Sequence, residues 1–208
     1  MFHNTSGLSV IFAGVGLFGA STICHAAIVY SPVVNLAIPV NAPGLYLNIE
    51  TGASGTSAAA VPGWDINVGG TSSLNFTSPG GYNFVRLNSA LPPTVGPSNL
   101  PGEFNISSAM PTASWIAGGA ANGLMLNSTA NYIGFRFVAS GGSTHVGYLV
   151  LSIGSSVTGA DRKIVSYAYN SESITTSGGA SIITPMIPAP GALALLCQAG
   201  FLSKRRRR

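Results

Sequence analysis

Apolar residues recur at every second position along much of the chain. Val34, Leu36 and Ile38 alternate with smaller or polar neighbours, and Leu45, Leu47 and Ile49 alternate against Tyr46, Asn48 and Glu50. A period of two puts one row of side chains on a buried face and the other on the opposite face, so each run predicts a strand. Residues 64–68 alternate again, launched by Pro62 and Gly63 and stopped by Gly69 and Gly70. Residues 74–76 form a short run ended by Pro79, Gly80 and Gly81, and 82–87 follow as the next strand. Between the first runs, 52–60 are small residues without a pattern and predict a loop.

Residues 88–131 read differently. Pro92, Pro93, Pro97, Pro101 and Pro111 forbid a long helix or a central strand there. Edge strands are expected near Phe104 and Ile106 and around Trp115, a further short strand over 123–126, and the longest loop of the protein in this region. The clearest unit is 131–170, where three runs (132–138, 144–153 and 164–169) are joined by turns, the first of them Ser140, Gly141, Gly142 and Ser143. It predicts a three-stranded meander at the centre of the core, with Val150 and Leu151 marking a strand covered on both faces. Strand-length runs with regular turn punctuation predict an all-β fold, a single β-sandwich or jelly-roll-like domain over 27–185.

The two ends obey other rules. Residues 1–26 read as a secretory signal helix: an apolar stretch over 8–20, then small residues before a cut between Ala26 and Ala27. Residues 186–208 divide into Pro188, Ala189 and Pro190, an apolar helix over 191–202, and the cations Lys204, Arg205, Arg206, Arg207 and Arg208. Twelve helical residues rise only about 18 Å, whereas a bilayer core is about 30 Å thick. Cations beside such a segment resist translocation. The combination predicts a stop-transfer signal that is read and then removed. In its three-part order it resembles the PEP-CTERM sorting signal of Gram-negative bacteria, with Ala189 standing where that family has an acidic residue. The resemblance implies exosortase and the export machinery as partners, a transient stay in the inner membrane, and a final place at the cell surface or in the extracellular matrix. The segment 132–169 also resembles a recurring block of secreted proteins in that class, carried by Tyr132, Phe135, His145, Gly147, Tyr148, Tyr167 and Tyr169, and it implies no activity.

Removing both ends changes the composition. Of nine cations only Arg86, Arg136, Arg162 and Lys163 remain, against Glu50, Asp65, Glu103, Asp161 and Glu172. The net charge of the domain is then −1, which leaves no electrostatic footprint for nucleic acid. Both cysteines, Cys24 and Cys197, also fall in the end segments. Neither disulfides nor thiolates hold the domain, and stability must come from burial.

His145 is the one histidine left between the end segments. A single histidine cannot make a His-rich metal site, and no loop gathers the oxygens that calcium needs. No cofactor is expected. No Gly-x-Ser-x-Gly elbow accompanies His145, and the five acids show no spacing that would pair carboxylates for glycoside hydrolysis. The reading is therefore a non-enzymatic exported surface protein associated with exopolysaccharide or biofilm. The runner-up is a polysaccharide-binding module with Trp64 and Trp115 as sugar contacts. A jelly-roll hydrolase using His145 or Asp65 comes third.

Overall fold

The computed structural model describes residues 27–81, 83–87, 96–107, 109–172 and 180–185. The expected signal helix over 1–26, the Pro188–Pro190 motif, the expected apolar helix over 191–202 and the terminal cations lie outside the described residues. Within them the chain is all-β. The strands are β1 (Ile28–Tyr30), β2 (Leu36–Ala37), β3 (Leu45–Leu47), β4 (Ser54–Gly55), β5 (Ile66–Gly69), β6 (Asn75–Thr77) and β7 (Phe84–Val85). There follow β8 (Asn105–Ser107), β9 (Trp115–Ile116), β10 (Gly118–Ala120), β11 (Ser128–Val138), β12 (Thr144–Ile153), β13 (Arg162–Asn170) and β14 (Ser181–Ile183).

Every pairing between these strands is antiparallel, and they make three sheets. The largest runs β1-β13-β12-β11-β7-β9, with β2 also on β13; a five-stranded sheet runs β10-β6-β5-β3-β4; β14 and β8 form a pair. The meander β11-β12-β13 is the centre of the large sheet, as its alternation predicts, and both of its faces are covered. One face (Ile133, Phe135, Phe137, Leu149, Leu151, Ile164) packs with Leu45, Leu47, Ile66, Val68 and Phe76 of the five-stranded sheet. The other face (Tyr132, Val146, Tyr148, Ala168) packs with Leu100, Trp115, and with Ile106 and Ile182 from the β8–β14 pair. Burying both faces is what lets a long central strand carry apolar residues in both phases. At the irregularity Val150 pairs with Ser166 and Leu151 with Ile164, so Val165 is the extra residue of a bulge in β13.

Gly147 shows how tightly the first core closes. A Cβ there would lie 2.6 Å from Phe135 Cζ and 2.4 Å from the Ala168 carbonyl oxygen. The missing side chain is the space into which the fully buried Phe135 ring packs across the register pair Phe135–Gly147.

Two local expectations are corrected. The patternless 52–60 stretch contains β4, whose Gly55 pairs with Tyr46, and a 3₁₀ turn over Ala58–Ala60 in which Ala60 N donates to the Ser57 hydroxyl at 3.3 Å. Residues 123–126 form no strand. The Asn131 side chain takes the place of a partner strand, accepting from Met125 N at 2.6 Å and donating to Met125 O at 3.0 Å. In the proline-rich region the edge strands expected near Phe104 and Ile106 and around Trp115 form as β8 and β9, and β10 joins them, each paired at a sheet edge or in the outer pair, where few ladder bonds are needed.

Arg162 ties several of these pieces together. Its guanidinium is fully buried and meets backbone carbonyls: Nε to Ile38 O at 3.2 Å, one terminal nitrogen to Val157 O at 2.7 Å, the other to Gly70 O at 2.7 Å and to Pro39 O. A planar fork of five donors suits several converging carbonyls better than a point charge would.

Candidate functional site

The outward face of the five-stranded sheet is built from the polar phase of the same alternation that builds the core. Leu45 and Leu47 point inward and Tyr46 points out, half-buried. Register carries Tyr46 to Asn67 on β5, and Asn67 to Thr77 on β6. These positions form a neutral row across the sheet. Asn67 donates to the carbonyls of Pro43 and Leu45 at 2.7 and 3.3 Å and accepts from the Thr77 hydroxyl at 3.3 Å, so its amide is fixed in orientation. Asn75 accepts from the Ser73 hydroxyl at 3.2 Å.

Beside this row lies a groove of about 240 Å³ bordered by Asn67, Asn75, Thr77, Thr71, Ser72 and the Gly69–Gly70 backbone. None of its lining residues is ionisable. Gly70 sits at φ +121°, with a Cβ position only 2.4 Å from the Ser73 carbonyl oxygen, so a side chain there is excluded by both conformation and space. Arg162 grips the Gly70 carbonyl from beneath, which sets the near wall of the groove.

Trp64 reaches this face from the turn before β5. The buried Asn48 side chain holds that turn, donating to Gly63 O at 2.7 Å and Pro62 O at 3.3 Å while accepting from Thr51 N at 2.8 Å. The Trp64 ring stands edge-on to Tyr46, with centroids 5.0 Å apart and planes at 85°. Both residues are half-buried, so the pair extends the neutral row with partly solvent-accessible aromatic side chains.

Trp115 is placed elsewhere. It is 4 % exposed on β9, at the edge of the large sheet, and packs in the second core. The Arg136 guanidinium lies 4.8 Å from its ring centroid, a cation–π contact with a partly desolvated cation. Burial lowers the Arg136 pKa from its ordinary value. The two tryptophans thus belong to different sheets, and Trp115 offers no open ring face.

Asp65 borders a second hollow, of about 210 Å³, with Pro79, Gly80, Asn83, Phe137 and Val138. Its carboxylate accepts from Ile49 N at 2.8 Å. Burial pushes its pKa up to about 6; the Ile49 amide opposes the rise and the neighbouring Glu50 charge adds to it. Glu50 moves the other way: hydrogen bonds from Ser140 N at 3.0 Å and Ser140 Oγ at 3.1 Å hold its pKa below the ordinary value.

His145 is buried at the start of β12, its ring against Phe137 and Tyr169, and its nearest polar side chain is Ser143. Among the described residues no group of three His, Cys, Asp or Glu side chains gathers in a way that would hold a metal ion, and no helix is long and apolar enough to cross a membrane. Ala27, at the expected cleavage point, is exposed, and its carbonyl accepts from Ser171 N at 3.0 Å. Sequence reasoning singled out Trp64 but not Tyr46, Asn67, Asn75 or Thr77. The signal was present in the polar phase of each strand, but only the register between strands brings those phases into one row.

No family model matches the chain, and neither does any curated protein or solved structure.

Proposed function

We propose that this chain is an exported, non-enzymatic surface or matrix protein, a β-sandwich that holds neutral polysaccharide on the outward face of its five-stranded sheet. The observation that carries the reading is the half-buried Trp64–Tyr46 pair, whose Tyr46 is the register partner of Asn67 in the wall of a groove of amides and hydroxyls. A sugar ring has apolar C–H faces that pack on an aromatic surface and a rim of hydroxyls that exchange hydrogen bonds with Asn, Ser and Thr. Orientation matters as much as residue type, and Asn67 is already fixed by three partners. Fixing the polar groups before the ligand arrives lowers the ordering cost of binding.

Delivery rests on the end segments. Export through the signal over 1–26 and exosortase recognition at Pro188, Ala189 and Pro190 place the domain outside the inner membrane, where exopolysaccharide is the abundant partner. The near-neutral domain, with four cations against five acids, suits an uncharged polymer better than a polyanion.

The test is affinity electrophoresis of the folded protein through gels containing neutral exopolysaccharide. Retardation that drops about tenfold in Trp64→Ala, at an unchanged unfolding midpoint, supports the reading. Free migration of the wild-type protein in every neutral glycan tried, or equal retardation of Trp64→Ala, refutes it. Fractionation of cells expressing the whole chain tests delivery: full-length protein in the cytosol with both ends intact refutes the export half.

A further inference from the structure

Ser143 immediately precedes β12 and His145 is its second residue. Two residues apart in an extended chain, their side chains share one face. The Ser143 hydroxyl lies 2.7 Å from His145 Nε2. The other ring nitrogen, Nδ1, lies 3.1 Å from the Asn170 carbonyl oxygen and 3.0 Å from that of Glu172. Carbonyl oxygens only accept, so in the neutral ring the proton sits on Nδ1 and Nε2 offers its lone pair. The Ser143 hydroxyl is then the donor. The ring is further held by Phe137, 5.5 Å away between centroids, and by Tyr169, 6.2 Å away.

A hydroxyl hydrogen-bonded to a basic nitrogen, with that base oriented by a third group, is the arrangement that makes serine nucleophilic. The hairpin does not need this bond to close, because Ala139 N already donates to Ser143 O and Gly142 N to Ala139 O, both at 2.8 Å. The opposite end of the turn is fixed by Glu50 on Ser140. Approach is open. Ser143 is half-buried beside the exposed Gly141 and Gly142, and beyond each glycine's own chain neighbours no heavy atom lies within 4 Å of where its side chain would begin.

We propose that Ser143 is an acyl-accepting nucleophile, with His145 as its general base, that reacts with activated esters of small acyl groups. Its Oγ forms a bond to the ester carbonyl carbon while its proton passes to His145 Nε2. The ester C–O bond then breaks, and the departing oxygen takes that proton, leaving acyl-Ser143 and the free alcohol. Nδ1 is held by neutral carbonyls in place of a carboxylate, so the imidazolium formed midway gains less stabilisation than in a Ser-His-Asp triad. That slows acylation and deacylation alike, but acyl-Ser143 is an alkyl ester with a poorer leaving group than the activated donor, so the adduct accumulates as a stoichiometric modification. This reactivity is separate from glycan binding on the five-stranded sheet.

The experiment is incubation of the full chain with p-nitrophenyl acetate, with acetylated positions located by peptide mass spectrometry. Expected is one acetyl group on Ser143, gained about 100-fold faster than on the exposed Ser72, in line with general-base catalysis. Ser143→Ala, which removes only a half-buried hydroxyl, abolishes the burst of p-nitrophenol release that accompanies this acetylation. His145→Asn retains a donor towards the two carbonyls but no base, and its rate falls by about 100-fold. Should His145→Asn fail to fold, Ser143→Ala and the ratio of Ser143 to Ser72 in the wild-type protein decide alone. Acetylation of Ser143 no faster than Ser72, or an unchanged burst in Ser143→Ala, overturns the proposal and makes the pair a structural latch.

Discussion

Replacing Asp65 by Asn tests whether the hollow beside Phe137 excludes water as its geometry implies. The carboxylate accepts from Ile49 N, a bond that an Asn side-chain oxygen can accept equally well, so the substitution removes charge and little else. Burial raises the Asp65 pKa from the ordinary 3.8 to about 6. A carboxyl wholly cut off from water would thereby weaken the folded state by about 3 kcal/mol above pH 6, at about 1.4 kcal/mol for each pH unit. Asp65 is only partly buried, and solvent screening reduces the expected cost to about 1–1.5 kcal/mol. The sign follows from proton counting. Between about pH 4 and pH 6 the folded protein retains a proton that the unfolded chain has released, so stability is greatest at the acid side of this window and falls as pH rises through 6. Glu50, whose pKa is held down by Ser140, acts at lower pH and with the opposite slope. The assay is urea unfolding followed by tryptophan fluorescence from pH 4 to pH 7.5. The wild-type protein is expected to lose stability across the window, and Asp65→Asn to show a flatter profile and to be about 1–1.5 kcal/mol more stable at pH 7. A wild-type profile that stays flat through the window, with Asp65→Asn no more stable at pH 7, would show that the carboxylate is well hydrated.

Arg162→Met removes the donors for carbonyls of Ile38, Pro39, Gly70 and Val157; the expected loss is about 3–5 kcal/mol, read by chemical denaturation. Gly147→Ala forces a methyl group into the Phe135 ring and the Ala168 carbonyl, costing about 1–3 kcal/mol, and a neutral result in thermal melts would mean that β12 and β13 part easily. The two tryptophans should separate cleanly: Trp115→Ala costs about 3–5 kcal/mol in stability, whereas Trp64→Ala costs less and lowers retention on neutral polysaccharide instead. Comparing melting and gel retardation for both variants checks that division.

Much of the fold is legible in the chain because each strand writes its own buried face. Leu45 and Leu47, or Ile133, Phe135 and Phe137, need only a local period of two to be assigned to a core, and the glycine-bearing turn at 140–143 fixes the hairpin between β11 and β12. The composition between the end segments likewise excludes cysteine chemistry and a basic surface. What the chain alone leaves open is whatever depends on which strands become neighbours. Trp64 and Trp115 look equivalent as residues; a turn pinned by Asn48 opens one, and edge pairing against β7 beneath Arg136 closes the other. The Asn67–Thr77 row needs β3, β5 and β6 side by side, and the carbonyls that set the His145 tautomer come from the last residue of β13 and from Glu172 just beyond it. Local pattern is set by backbone geometry within a few residues, whereas register and layer order follow from burying every apolar face at once, and only the folded chain satisfies that condition.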